Sequence, residues 1–331
     1  MNKPLLSICI ATYNRAGYIG ETLSSIIPQL DDDVELLVVD GASTDKTQDV
    51  VEGFAQKEPR IRYVRLSAKG GIDQDYDKSV ELARGEFCWL FTDDDLLKPG
   101  AVAAVKTAIA EGYDLVVVNA EVRDNKLLTV LEHQQIIMRE NKIYTPNEIN
   151  HFFVDIIYYL SFIGAVVIRR CIWLSRDRKS YFGTEFIHVG VIFQKIITTP
   201  ILVIADPYIV IRWGNAQWTP RDFDIWMFKW PKLIWSFDDI SLETKLRIVS
   251  REPWRNFKNL IVHRRTGSYN IQSYHRYLST VEASAVWKFF AWVIAVFPIK
   301  IMAPFYDFLC QIYRPIYHYT KKRANILLHK K

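Results

Sequence analysis

Three consecutive aspartates, Asp93, Asp94 and Asp95, follow the apolar run EFCWLFT. Carboxylates this crowded repel one another unless protons or a cation compensate. Oxygen donors of this kind suit Mg2+ or Mn2+, which take one or two carboxylates and complete their shell with substrate phosphate. The plainer alternative is that the aspartates only favour the start of the following helix through its dipole. A fourth acid, Asp40, ends a second apolar run, VELLVVD, with Gly41 and Ser43 beyond it. A third run, LLSICIAT, leads into Thr12, Tyr13, Asn14 and Arg15. Three apolar runs that each end in carboxylates or hydroxyls read as one polar cleft.

The elements that must position these groups are legible as a pattern. Apolar runs at residues 5–12, 34–40, 61–66, 86–92 and 114–119 alternate with helical patterns at about 17–30, from 45, 73–84 and 99–111. Asp45 and Gln48 have the spacing of a capping box, and Pro99 suits the opening of a helix. Regular strand–helix alternation means an α/β fold whose mostly parallel sheet is covered on both faces. Ligands in such sheets bind beyond the carboxyl ends of the strands, where the polar clusters stand. Further strand patterns occur at 163–168, 201–205 and 208–212.

Neither GxGxxG nor GxxxxGK[ST] occurs, which disfavours dinucleotide dehydrogenases and P-loop enzymes. The segments SICIATYNR, VVDGASTDKT and GGIDQDYDKSVELARGEFCWLFTDDD, in that order, resemble the inverting family 2 glycosyltransferases with the GT-A fold. YLSFIG, GTEFIHVGVIF and WGNAQW are similar to its abequosyltransferase-like branch, which builds O-antigen. The resemblance implies a nucleotide-sugar donor, a CDP-activated dideoxyhexose such as CDP-abequose in the narrow case. It implies a polyprenyl-diphosphate-linked oligosaccharide acceptor, Mg2+ or Mn2+ as cofactor, and single displacement at the anomeric carbon. On this reading Thr12, Tyr13, Asn14, Arg15, Asp40, Asp73, Asp93 and Asp94 contact the donor. Asp93 and Asp95 form the DXD-type motif, with Asp95 the first choice as metal ligand.

The chain departs from the family at the general base, usually the aspartate of a Glu-Asp pair some twenty residues before a strand like PLVYYR. Counting back from residues 207–212 (PYIVIR) gives His188, with Glu185 three positions earlier. Either His188 is the base, or Glu185 is and His188 assists, or His188 is an ordinary partly buried histidine; on a helix the two would share a face. Asp73, Asp75 and Asp77 could hydrogen-bond the donor sugar; more plainly, Asp73 caps its helix and Asp75 and Asp77 face solvent, the reading preferred for the last two. Trp213 and Asn215 follow a strand, where a loop can cover the cleft.

The 331 residues are half apolar with a net charge of +5. The expected division is a GT-A domain over 1–215 (donor half 1–120, acceptor half 121–215) and an aromatic and basic, mainly helical region over 216–331. Five of the ten tryptophans fall between 213 and 235. Residues 289–299 (FFAWVIAVFPI), bracketed by Lys288 and Lys300, are too short to span a bilayer and suit an in-plane or re-entrant helix, the alternative being a buried hairpin of core helices. The tail beyond Asp307 carries only basic charge, which favours anionic lipid. Four dispersed cysteines and no signal-peptide pattern suit a cytoplasmic protein peripheral on the inner membrane face, with no nucleic acid as partner. A nucleotidyltransferase would need a basic glycine-rich loop after the first strand, where IATYNRAGYIG stands. The other alternative is a non-catalytic membrane scaffold.

Overall fold

The computed structural model describes residues 3–299. Two compact units emerge: Met1–Ala216 with Lys229–Arg251, and Gln217–Phe228 with Glu252–Lys331. The segment 229–251, read from sequence as part of the C-terminal region, thus packs with the first unit.

That unit is built on a ten-stranded sheet. Its strands are β1 (Leu6–Thr12), β2 (Val34–Asp40), β3 (Ile61–Arg65), β4 (Phe87–Phe91), β5 (Leu96–Leu97), β6 (Leu115–Arg123), β7 (Val130–Glu132), β8 (Lys142–Tyr144), β9 (Val166–Arg169) and β10 (Ile201–Arg212). Along the sheet they run β3-β2-β1-β4-β9-β6-β10-β5, with β7 beside β6 and β8 beside β10. The first four are parallel; β9 runs antiparallel to both β4 and β6. Every residue of β1, β2 and β4 is buried, because helices cover both faces and leave no side on which polar residues could alternate. β3, at the edge, is only partly covered. Each apolar side chain fully buried here contributes roughly 1.5–3 kcal/mol of transfer free energy.

The covering helices are α1 (Ile19–Ile26), α2 (Thr47–Ala55), α3 (Ile72–Leu82), α4 (Ala101–Ala110), α5 (Ile149–Ile156), α6 (Arg170–Leu174) and α7 (Ile187–Phe193). Elements fall within a few residues of their sequence patterns, with two differences. The two strand patterns at 201–205 and 208–212 are one strand, β10, which shifts register against β6 between Ile204 and Ile209. The expected capping box at α2 is absent: Asp45 accepts from the amide and hydroxyl of Thr47, while Gln48 donates to Glu52.

The second unit is helical, around Phe223, Met227, Trp254, Leu260, Tyr269, Tyr274, Leu278, Ala291 and Ala295. Its helix Ala285–Val296 starts at Ser284, whose hydroxyl accepts from the Trp287 amide. Phe289, Phe290, Trp292 and Val296 on it are exposed. Among the described residues no helix is long and apolar enough to cross a membrane. The basic tail expectation lies outside the described residues.

Candidate functional site

The site forms where β1, β2 and β4 end side by side. Thr12 pairs with Asp40 in register, and the turn is closed by the Gly41 amide donating to the Thr12 carbonyl at 2.9 Å. Asn14, at φ 54, takes a left-handed conformation that asparagine tolerates better than most residues. Its Oδ1 accepts from the Thr44 and Asp45 amides at 2.7 and 3.3 Å, and its own amide donates to Ser43 Oγ at 2.9 Å. Asn14 therefore stitches the loop after β1 to the loop after β2. The Arg15 amide adds a bond to Thr47 Oγ1 at 2.8 Å. Over the Tyr13 ring stands Lys69 Nζ, 3.6 Å from its centroid.

Asp40 is fully buried. Its Oδ1 accepts from the Ser43 amide at 2.8 Å and its Oδ2 from the Tyr63 hydroxyl at 2.6 Å. Sequence reasoning missed Tyr63. A tyrosine on the strand that pairs with the Asp40 strand was the available signal, but only the register makes it specific.

The three strand-end aspartates are all buried and each carboxyl is pushed up, first by burial. Asp93 rises to about 7, with Asp94 repelling and Arg15 opposing the shift. Arg15 Nε lies 3.3 Å from Asp93 Oδ1, its Nη2 3.3 Å from Asp94 Oδ2, and its Nη1 donates to the Asn215 carbonyl at 3.2 Å. Asn215 Nδ2 donates to Asp94 Oδ2 at 2.7 Å. Asp95 is held differently, its Oδ1 accepting from the Arg212 amide at 2.7 Å and its Oδ2 from the Thr92 hydroxyl at 2.5 Å. Carboxylates that ligate metals are themselves commonly oriented by such bonds, and each oxygen keeps a spare lone pair.

Arg212, a second residue the sequence did not single out for this role, is buried and ties the site together. Nε donates to the Asp94 carbonyl at 3.0 Å, Nη1 to the Asn125 carbonyl at 2.8 Å, and Nη2 pairs with Glu21. Trp213, beside it, is half-buried; its amide donates to the Arg123 carbonyl.

Among the described residues no three His, Cys, Asp or Glu side chains converge as a ready metal cage. The donor chemistry nevertheless fits a hard divalent ion. Buried carboxylates whose proton affinity is raised first by burial, and at Asp93 and Asp95 also by their acidic neighbours, lack positive charge, and Arg15 supplies part of it.

The expected helix-face pair of Glu185 and His188 does not form. Glu185 has φ 69 and precedes α7, so the two do not lie one turn apart on a common face. Its carboxylate stands 3.1 Å from Lys229 Nζ. His188 turns inward, buried, with Nε2 2.6 Å from the Leu160 carbonyl and Nδ1 without a hydrogen bond. Burial lowers its pKa to about 4, which leaves the ring neutral.

Helix α3 corrects a further expectation. Asp75 is buried against Gly41, not solvated, and burial raises its carboxyl to about 6. Asp77 accepts from Trp173 Nε1 at 2.9 Å and Arg178 Nη1 at 3.0 Å. Asp73 is also buried, bonded to three backbone amides of residues 183–187.

The family model described as glycosyl transferase family 2 matches residues 7–172. The chain is 28% identical over 234 residues to abequosyltransferase RfbV of Salmonella typhimurium, covering 66% of this chain and 69% of that protein. It is 32% identical over 111 residues to the GalNAc(5)-diNAcBac-PP-undecaprenol beta-1,3-glucosyltransferase of Campylobacter jejuni, covering 33% of this chain and 36% of that one. In fold it is similar to S. aureus TarS 1-349, with a TM-score of 0.57 and 18% identity over 81% of this chain and 78% of that one. It is likewise similar to mannosyltransferase PcManGT from Pyrobaculum calidifontis, solved with GDP-Man and Mn2+, with a TM-score of 0.52 and 17% identity over 99% and 86% of the two chains. With half of its length matched by the family model and its strand ends built as described, the chain belongs to glycosyl transferase family 2.

Proposed function

We propose that the enzyme is a metal-dependent, inverting glycosyltransferase whose donor is a nucleotide-diphosphate sugar and whose acceptor is a polyprenyl-diphosphate-linked oligosaccharide. The observation that carries this reading is the buried aspartate cluster after β4, beside the ends of β1 and β2 and met by Arg15 and Asn215. Asp93 and Asp95 would hold Mg2+ or Mn2+, which when bound neutralises charge on the leaving diphosphate. Asp40, Thr12 and Tyr13 line the nucleoside side, and Arg15, which meets Asp93 and Asp94, would pair with phosphate oxygens of the donor. Glu185 is the general base in this reading. It is a carboxylate on a loop, whereas His188 is buried, neutral and bonded to a backbone carbonyl.

A dideoxyhexose such as abequose, carried on CDP, is the donor we favour, supported by the relative named for abequose transfer. The lipid-linked acceptor is supported by the relative named for an undecaprenol-linked substrate. Attachment to the inner face of the cell membrane through the second unit is supported by its exposed Phe289, Phe290 and Trp292. Binding of CDP, UDP and GDP, each with and without Mn2+, tests the donor site in wild type and Asp95→Ala. Manganese-dependent binding of one diphosphate, lost in the variant, is expected; no such binding to any of them overturns the mechanism. Wild-type turnover in Glu185→Gln would remove that residue as base.

A further inference from the structure

Asp73 stands in the first turn of α3, directly after the Gly70–Gly71 turn, and is only 2% exposed. Its Oδ2 accepts from the amides of Gly183 at 2.8 Å and Glu185 at 2.9 Å, and its Oδ1 from the amide of Ile187 at 3.1 Å. Three alternate amides of one short loop thus converge on a single carboxylate. The loop needs such an anchor, since Gly183 and Glu185 both take positive φ, 84 and 69, and the second is a conformation that non-glycine residues adopt at a cost. A carboxylate satisfies all three donors because it only accepts; an asparagine would turn an N–H toward one of them.

The same helix reaches in two directions. Asp75 packs its carboxylate against Gly41 at the end of β2, where a Cβ on Gly41 would come within 2.6 Å of Asp75 Oδ2. Two residues further, Asp77 holds Trp173 and Arg178. Helix α3 therefore touches the nucleoside side of the cleft through one aspartate and the Glu185 loop through another.

We propose that Asp73 is a positioning residue which sets the Glu185 carboxylate relative to the donor cleft, and that it does not contact the donor. This rests on the reading of Glu185 as base. Misplacing a reacting group by an ångström costs about a hundredfold in rate, whereas donor affinity does not depend on that placement.

The test uses Asp73→Asn, Asp73→Ala, Glu185→Gln and the double variant Asp73→Ala/Glu185→Gln in the full chain. Thermal unfolding identifies any variant that has lost its fold, and Asp73→Asn preserves shape if Asp73→Ala does not. Expected are a fall in kcat of roughly ten- to a hundredfold for Asp73→Ala, a smaller fall for Asp73→Asn, and nucleotide-diphosphate Kd with Mn2+ within about twofold of wild type. The double variant should be no slower than Glu185→Gln alone. Hydrogen exchange at residues 183–187 should accelerate in both Asp73 variants. A Kd weakened tenfold or more, with loop exchange unchanged, would make Asp73 a donor ligand and overturn the proposal. Multiplying losses in the double variant would overturn it too. Full turnover in Glu185→Gln would instead remove the base assignment, and the exchange data would still decide whether Asp73 holds the loop.

Discussion

Arg15 Nε lies 3.3 Å from Asp93 Oδ1, so a loop cation from the end of β1 sits on the carboxylate that ends β4. The same guanidinium reaches Asp94, and with Arg212 it sets two positive charges against three adjacent buried acids. Removing one acid should therefore relieve the ligand-free fold. At pH 8, Asp93→Asn is expected to melt higher than wild type by about 1 kcal/mol of stability. Millimolar Mn2+ with the matching diphosphate should raise the melting temperature of wild type and leave that of the variant unchanged. Equal ligand-induced shifts in both proteins would contradict the assignment of Asp93 to the metal site.

His188 gives a pH signature. Its folded pKa is lowered to about 4 from 6.5 by burial, so the unfolded chain takes up a proton before the folded one does. Stability attributable to this group is complete above pH 6.5 and is lost as pH falls from 6.5 toward 4, about 3 kcal/mol across the window. His188→Gln keeps a donor for the Leu160 carbonyl but cannot be charged, so denaturant unfolding between pH 7.5 and 4.5 should show a shallower loss. Parallel curves for the two proteins would mean the ring is not held neutral.

Tyr63 and Asp40 form the third case. Tyr63→Phe deletes the hydroxyl that donates to Asp40 Oδ2 at 2.6 Å and leaves a fully buried carboxylate oxygen short of a partner. The expected cost is ~1–3 kcal/mol in denaturant unfolding. Nucleotide affinity should weaken as well, since Asp40 would no longer be held in one orientation. Unchanged stability would show that water replaces the phenol without loss.

Gly190 marks a tight contact within α7. A Cβ there would fall 2.1 Å from a ring atom of Tyr181, so Gly190→Ala must displace an aromatic ring packed on the helix. A loss of ~1–3 kcal/mol is expected from thermal melts, against a gain of roughly 0.5–1 kcal/mol for Gly53→Ala inside α2, where a Cβ meets nothing within 4 Å.

The sheet was legible because its central strands are continuous apolar runs, and such runs at regular intervals admit few arrangements. The acid cluster was legible for the opposite reason, since charge at a strand end is out of place without a purpose. What stayed hidden were partners fixed by register or by chain return. Tyr63 reaches Asp40 only through the pairing of β2 with β3, and Lys229 reaches Glu185 from forty-four positions away. Helical spacing misled for Glu185 and His188, because spacing assumes a helix and the backbone at Glu185 is left-handed. Asp75 and Asp77 read as solvated because aspartate usually is; the packing of α3 against Gly41, Trp173 and Arg178 buries or binds them.

The return of residues 229–251 to the first unit has a practical meaning for protein engineering. Lys229 stands on Glu185 and Trp230 packs edge-on to Phe186, so both flank the loop that Asp73 anchors. A catalytic fragment cut at residue 216 would forfeit them. A chimera that trades the second unit between relatives keeps the host's own 229–251 only if the graft is made in two pieces.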